Sequence, residues 1–245
     1  MIPFFDPSNA STTPIFFSTS HITVLGVMFI LIVFLSFFRD KSWMESYIRW
    51  GLFSILILTE VGLNIWYFST GYWNVMYTLP FQLCSISIYL CIWMLLFKQK
   101  LVFEIVYFLG LGGATQALLT PELFFAFPHF RFLHFFIAHI CIILAVLYMV
   151  WVEKYTISFS SLWKAFLSLQ IIAPFVFWIN RMTLGNYMFL ARKPENPSLI
   201  DLLGPYPWYI LSLQLVVLVV FFLLYIPFLP VWKKTKGVNK RQESN

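Results

Sequence analysis

The chain has 245 residues, of which 60% are hydrophobic, 21% are aromatic and only 11% are charged. Because a soluble domain is normally about 25% charged, this composition excludes a water-soluble globule and indicates a polytopic helical membrane protein. The formal net charge of +6 does not indicate nucleic-acid binding, since the basic residues cluster at the ends of apolar runs, where they set orientation.

Apolar runs along the chain predict an all-α fold with about seven transmembrane helices, since roughly 20 residues span the hydrocarbon core. The predicted spans are 21–38, 50–69, 76–97, 101–119, 131–152, 164–179 and 207–231. The fourth and sixth are expected to be the weakest, because they are short and interrupted by Gly or Pro. We expect three parts, namely an extracytoplasmic tail at 1–20, a single transmembrane domain at 21–232 and a basic cytoplasmic tail at 233–245.

The basic residues also predict the orientation. With the N-terminus outside and the C-terminus inside, most Lys and Arg fall on the inner side, as the positive-inside rule requires. The outer side then receives only Arg131, Arg181, Arg192 and Lys193. We therefore expect a multi-pass protein of the cell (plasma) membrane.

The stretch 79–90 begins an apolar helix, yet it is unusually polar over six residues. Pro80 suits the first turn of a helix, where its missing N–H costs nothing. The polar and small residues that follow are Gln82, Cys84, Ser85 and Ser87. Such residues in membrane helices often serve only close packing, so packing is the alternative to a functional site, and it is the favoured interpretation for Cys91 and Cys141.

Polar side chains at membrane depth are costly and usually functional. Depths counted from the predicted span ends at 1.5 Å per residue put one group of them in the outer half of the bilayer. The group is Glu60, Asn64, Gln82, Cys84, Ser85, Ser87, Gln116, His134 and His139. This asymmetry predicts a polar cavity that opens toward the outer leaflet. His21 and His129 fall at the predicted interfaces, where we expect them to be solvated.

The chemistry of such a cavity could be nucleophilic. A Cys with a His within hydrogen-bond reach can attack an ester. Cys84 and either His134 or His139 form the candidate pair, and Glu60 could orient the imidazole. The interpretation without catalysis is that the histidines only make interhelical hydrogen bonds. No metal or cofactor is expected, because CxxC and HExxH spacings are missing from the sequence.

Several stretches resemble the YwaF-like bacterial integral membrane proteins, over roughly residues 15–232. They are Leu79-Pro80-x-x-Leu83-Cys84-Ser85-Ile86-Ser87, Leu118-Leu119-Thr120-Pro121, Phe127-Pro128-His129-Phe130-Arg131-Phe132 and Leu203-Gly204-Pro205-x-Pro207-Trp208-Tyr209. That family is similar to a vertebrate transmembrane acyltransferase that acts on ether lysophospholipids, and more distantly to the androgen-induced membrane hydrolases.

The resemblance implies acyl transfer or ester hydrolysis on a lipid. When the family's roles are carried over by motif, the nucleophile is Cys84 and the base is His139, with His134 as the alternative base. The implied partners are membrane phospholipids or lysophospholipids, and the oligomeric state stays open. Our leading hypothesis is an acyltransferase with a thioester intermediate. The alternatives are an intramembrane lipid hydrolase with the same residues, and a non-enzymatic transporter or lipid-binding scaffold.

Overall fold

The computed structural model describes residues 4–10, 15–194 and 199–229, so the predicted basic tail at 233–245 lies outside the described residues. Within these ranges the regular structure is helical throughout. In chain order the α-helices are α1 (Thr19–Phe38), α2 (Arg49–Ser69), α3 (Leu83–Phe97), α4 (Lys100–Leu119), α5 (Phe130–Trp151), α6 (Phe159–Thr183) and α7 (Trp208–Tyr225). A π-helical turn, Met44–Ile48, precedes α2, and short 3-10 turns lie at Tyr187–Phe189, Leu199–Leu203 and Ile226–Phe228.

Six of the helices in the described ranges are long and apolar enough to cross a membrane, with α2 counted together with its preceding π-helical turn. The exception is α3, whose 15 residues measure only about 22 Å at a rise of 1.5 Å per residue, against a hydrocarbon core of about 30 Å. The all-α polytopic fold is confirmed, whereas a full set of seven spans and the orientation stay predictions. Below, the outer end of the bundle means the end where α2 stops and α5 starts, following that predicted orientation.

The helices that were expected to be weakest are complete. α4 has 20 residues and α6 has 25. In α4, Gly110 permits a close approach, since a Cβ there would lie 3.1 Å from Ile142 Cγ2 on α5 and 3.7 Å from Ser87 Cβ on α3. In α6, Pro174 lies inside the helix, as membrane helices tolerate. Gly110 therefore marks a packing position, and neither Gly110 nor Pro174 marks a helix end.

The centre of the bundle is α5. Of its most apolar segment 67% is buried, compared with 11% for α1 and 17% for the helix that includes α7. It contacts α1, α2, α3 and α4, while α6 and α7 pack against α4 from the other side. Side chains on α5 therefore face protein on most sides, and this applies to both candidate histidines.

Part of the predicted N-terminal tail is docked on the outer end of the bundle. The carbonyl of Phe4 accepts a hydrogen bond from the backbone N–H of Phe130 at 2.9 Å. The carbonyl of Phe5 accepts one from Trp66 Nε1, also at 2.9 Å. Both Phe rings pack on the Phe130 ring. This short segment thus packs against Phe130 and Trp66 at the outer ends of α5 and α2.

Candidate functional site

The polar stretch singled out in the sequence lies at the start of α3. The helix begins at Leu83, with Gln82 in the extended N-cap position. The prediction that Pro80 occupies the first turn is therefore wrong, and the predicted span start at 76 is too early. Cys84 becomes the second residue of the helix, whereas the predicted span 76–97 made it the ninth.

Side chains hold the preceding segment in a non-helical conformation. The N–H of Asn74 donates to Thr78 Oγ1 at 3.1 Å. The N–H of Leu79 donates to Tyr187 Oη at 2.9 Å, and that hydroxyl donates to the Val75 carbonyl at 2.7 Å. Irregular backbone at membrane depth is tolerated only where protein or a cavity surrounds it. Tyr187, which is fully buried, meets this requirement for the start of α3.

The first turn of α3 is uncapped. Among the described residues no side chain accepts a hydrogen bond at this helix start. The N–H groups of Leu83, Cys84 and Ser85 therefore keep the unused donors that any helix N-terminus carries. The helix dipole also favours negative charge at this end. A thiolate or an oxyanion near Cys84 would be stabilised by both effects.

The neighbours of Cys84 differ in what they do. The Oε1 of Gln82 accepts a hydrogen bond from the N–H of Met188 at 2.9 Å, which ties the start of α3 to the connection after α6. Ser87 is buried, donates to the Leu83 carbonyl at 2.8 Å and faces Gly110. Its position is that of a packing residue. Ser85 is partly buried and lies one helical turn before Tyr89, on the same face.

The three cysteines of the chain are not equivalent. Cys84 is partly buried, whereas Cys91 and Cys141 are buried. The exposed fractions of the latter two are 0% and 5%. Cys84 is thus the least buried of the three cysteines, and the other two supply natural controls.

His139 is buried on α5 in a defined tautomer. Its Nδ1 lies 2.6 Å from the carbonyl oxygen of Phe135. Since a carbonyl can only accept, Nδ1 carries the hydrogen and Nε2 of the neutral ring bears the lone pair. That Nε2 is buried without a hydrogen-bond partner. His139 therefore presents a free basic nitrogen.

His134 has the opposite tautomer. Its Nδ1 lies 3.2 Å from Arg131 Nη1. Since a guanidinium can only donate, Nδ1 is the acceptor and Nε2 of the neutral ring carries the hydrogen. This Nε2 is also buried without a partner at hydrogen-bond geometry. Of the two candidate bases, His139 thus has the lone pair available, whereas His134 uses its lone pair to hold Arg131.

Cys84 and His139 lie at the same level of the bundle. Gly110 on α4 meets Ser87 on α3 and Ile142 on α5. Cys84 is three residues before Ser87, and His139 is three residues before Ile142, so each lies about 4.5 Å further out. Within the described residues no hydrogen bond joins the thiol to either imidazole. Catalytic hydrogen bonds are often long in a ligand-free state and tighten with substrate.

Glu60 and Asn64 line a different feature, an open groove of about 890 Å³ between α2 and α3. Tyr89 donates to Glu60 Oε2 at 2.9 Å, while Glu60 Oε1 is buried without a partner. The Nδ2 of Asn64 donates to the Glu60 carbonyl at 2.8 Å. Most of the groove wall is apolar, with the exposed side chains of Val61 and Phe68. The groove therefore faces the lipid and has a carboxyl group in its floor.

The structure therefore divides the predicted group. Glu60 and Asn64 are placed in the groove between α2 and α3, whereas Cys84 and His139 are aligned in height on α3 and α5. Gln116 is exposed on α4 and donates to Thr120 Oγ1 of its own helix end at 2.6 Å.

The expectation that His21 and His129 are solvated is wrong. Their exposed fractions are 1% and 4%. His21 Nε2 donates to the Leu118 carbonyl at 2.7 Å and so joins α1 to α4. His129 is the N-cap of α5, where its Nδ1 accepts from the N–H of Arg131 at 3.0 Å. His21 thus makes an interhelical hydrogen bond, the alternative role of membrane histidines, whereas His129 caps its own helix and contacts the Asp6 carbonyl through Nε2.

Two residues of the site region were not singled out in the sequence. Tyr89 is the hydrogen-bond partner of Glu60. It could have been found from the sequence, because it lies in the polar stretch 79–90 at helical spacing from Ser85. Arg131 was used for orientation and within a resemblance motif but was not assigned to the site, although it lies three residues before His134. That spacing places the two side chains on one helix face.

The comparison with protein families gives one match. The model described as the TMEM164 family matches residues 16–225. The chain belongs to the TMEM164 family. Neither the curated proteins nor the solved structures contain a match.

Membership in the TMEM164 family agrees with the helical architecture. Together they establish a multi-pass membrane protein. The match supports the TMEM164-type family, whereas the narrower YwaF-like assignment remains a resemblance.

Proposed function

We propose that this TMEM164-family protein is a lipid acyltransferase of the cell membrane, with Cys84 as the nucleophile and His139 as the general base. The observation that carries the proposal is the free, buried Nε2 of His139 at the level of a thiol in the first turn of a helix. The substrates would be phospholipids and lysophospholipids that enter from the outer leaflet.

The local environment of Cys84 has opposing effects on the stability of its thiolate form. Apolar surroundings disfavour a thiolate, so a base is needed to take the proton. The positive end of the α3 dipole and its unused N–H groups favour a negative charge. The same N–H groups are suited to an oxyanion in the transition state, a role usually worth several kcal/mol when the donors are preorganised. Gln82 is a further donor candidate, because its amide oxygen accepts from the N–H of Met188 and its Nε2 hydrogens stay available.

The reaction would proceed in two acyl transfers. His139 Nε2 takes the proton from the Cys84 thiol, and the sulfur attacks the ester carbonyl of a donor phospholipid. A C–S bond forms, the ester C–O bond breaks, and the leaving alkoxide receives the proton from His139. A lysophospholipid hydroxyl then attacks the thioester while His139 accepts its proton, and the departing thiolate of Cys84 takes that proton back.

The direct test uses the full-length protein in vesicles that contain a diacyl phospholipid and an isotope-labelled lysophospholipid. Wild type should form labelled diacyl product, and Cys84→Ala and His139→Gln should each lower that rate at least a hundredfold. Cys91→Ala and Cys141→Ala are the matched controls and should keep most of the activity, since both residues are buried in packing positions. Circular dichroism spectra of each variant establish that it is folded.

The outcomes separate the alternatives. Free fatty acid in place of labelled diacyl product would identify a hydrolase with the same residues. Turnover that survives in Cys84→Ala would exclude the thiol mechanism. No turnover in wild type with any lipid would favour a transporter or lipid-binding scaffold.

A further inference from the structure

Arg131 is oriented inward, which is unusual for its position. It is the second residue of α5, where a long basic side chain normally extends to the interface and its water. Here its Nη1 lies 3.2 Å from Nδ1 of His134, one helical turn deeper. Its Nε is buried without a hydrogen-bond partner. The guanidinium is thus held below the outer end of α5.

The charge of this guanidinium is poorly compensated. Its carbon lies 5.8 Å from the Trp66 ring and 5.6 Å from the Tyr67 ring, and such contacts supply only part of the stabilisation that water would give. Among the described residues no carboxylate lies within 4.0 Å of it. Glu60 is within electrostatic reach, but Oε2 of that carboxyl is engaged by Tyr89.

An arginine has five N–H donors. One donor of Arg131 is occupied by the hydrogen bond to Nδ1 of His134. A partly buried cation with unused donors is costly unless a partner supplies acceptors and negative charge. Phosphate oxygens match the planar fork of a guanidinium and bind it with two parallel hydrogen bonds. The position, the unused donors and the lack of a direct ion pair among the described residues all describe one side of an anion site.

We propose that Arg131, held in place by His134, binds the phosphate group of a ligand at the outer end of α5. His134 is a positioning residue, because its Nδ1 accepts a hydrogen bond from the Arg131 guanidinium. His139 lies five residues beyond His134, about 7 Å deeper along the helix. A phosphate on Arg131 would therefore place the ester region of a glycerophospholipid near the level of Cys84. Only this last step, that the bound lipid is the substrate, rests on the proposed function.

The test measures thermal unfolding of the full-length protein in a neutral detergent with three probes. Dioctanoyl phosphatidic acid carries the phosphate, dioctanoylglycerol is the same lipid without it, and inorganic phosphate is the free anion. The variants are Arg131→Gln and Arg131→Lys. Arg181→Gln is the matched control, because Arg181 is also on the predicted outer side but is exposed, with its guanidinium carbon 5.3 Å from the centre of the Phe177 ring.

Phosphatidic acid should raise the Tm of wild type and Arg181→Gln, and dioctanoylglycerol should not. Arg131→Gln should weaken the apparent affinity at least about tenfold, the effect of losing a charge-assisted hydrogen-bond pair. If Arg131→Gln does not fold, Arg131→Lys decides, since it keeps the charge but loses the fork and should bind more weakly. An Arg131-dependent response to inorganic phosphate as strong as that to phosphatidic acid would support the site and assign it to the free anion.

Equal affinity in wild type and the folded Arg131 variants would overturn the proposal, as would equal responses to phosphatidic acid and dioctanoylglycerol. Cys84→Ala separates this proposal from the proposed function, because it should abolish acyl transfer and keep the Arg131-dependent shift. If wild type transfers no acyl group but keeps that shift, the phosphate site stands and the acyltransferase does not.

Discussion

Tyr89 on α3 donates a hydrogen bond to Oε2 of Glu60 on α2 over 2.9 Å. Glu60 is 8% exposed, and its other oxygen has no partner. Because α2 and α3 run in opposite directions here, this bond places Ser85 at the level of Asn64, one turn further out on each helix. It fixes the register of the two helices that form the lipid-facing groove.

Removing this bond should destabilise the bundle modestly. Tyr89→Phe leaves both Glu60 oxygens without a donor, and interhelical hydrogen bonds in membranes contribute about 0.6 to 1.7 kcal/mol. We expect a loss of unfolding free energy in that range, measured by unfolding in mixed micelles. In the Glu60→Ala background, which leaves the Tyr89 hydroxyl without this acceptor, the same substitution should cost less. Equal costs in both backgrounds would mean that the hydroxyl does not stabilise the carboxyl group.

Among the ion pairs of residues 4–10, 15–194 and 199–229, the pair between Lys164 on α6 and Glu104 on α4 should be the costliest to break. The two atoms lie 2.6 Å apart, and the Glu104 side chain is 4% exposed. Lys164→Ala should lower the unfolding free energy by about 3 kcal/mol, because it leaves a buried carboxylate unpaired. Lys154→Ala breaks an exposed pair with Asp40 and should cost far less, because water screens exposed ion pairs. Equal losses for the two variants would contradict this assignment.

Acid should weaken the N-terminal end of α5. Burial lowers the pKa of His129 below its ordinary value of 6.5, and the charge of Arg131 acts in the same direction. As the pH falls below about 6.5, the unfolded chain takes up the proton first, so stability falls by at most about 1.4 kcal/mol per pH unit. The fall ends below the pKa of the folded protein.

His129→Asn keeps an N-cap acceptor and removes this titration. Unfolding free energies of wild type and this variant between pH 8 and pH 5 should therefore differ in slope below pH 6.5. Identical slopes would show that His129 does not titrate differently in the two states.

The non-helical segment before α3 should control access to Cys84. Tyr187→Phe removes the hydroxyl that accepts from the N–H of Leu79 and donates to the Val75 carbonyl. An unsatisfied buried N–H costs about 1 to 3 kcal/mol, so this segment should loosen. Cys84 should then react several times faster with a maleimide, while the rate at Cys91 stays the same. An unchanged rate at Cys84 would mean that the segment does not limit access.

The helical architecture was predictable from the sequence because apolar runs of 20 residues between basic ends leave few alternatives. The predicted spans 21–38, 101–119 and 131–152 match α1, α4 and α5 within two residues at each end. The start of α3 was missed by seven residues. Apolarity is continuous through that segment, and the hydrogen bonds from Tyr187, more than a hundred residues away, are not visible in the local pattern.

The sequence allowed the depth of each candidate residue in the bundle to be predicted, but not the side of its helix on which it lies. Counting residues placed Cys84 and His139 at one level, which agrees with the Gly110 contacts. It gave no angular position, so Glu60 was assigned to the same cavity although it lies in the groove between α2 and α3. The tautomers of the two histidines depend on Phe135 and Arg131, whose roles follow from hydrogen-bond geometry and not from residue type.

The central claim is that Cys84 carries the acyl chain, and a covalent intermediate tests it most directly. The full-length protein would be incubated with diacyl phospholipid without an acyl acceptor, quenched in acid and analysed by peptide mass spectrometry. The account predicts an acyl group on the peptide with Cys84 that hydroxylamine removes, with none on Cys91 or Cys141, and a strongly reduced yield in His139→Gln. Phospholipid turnover with no acyl group on Cys84, or the same acylation in His139→Gln, would contradict it.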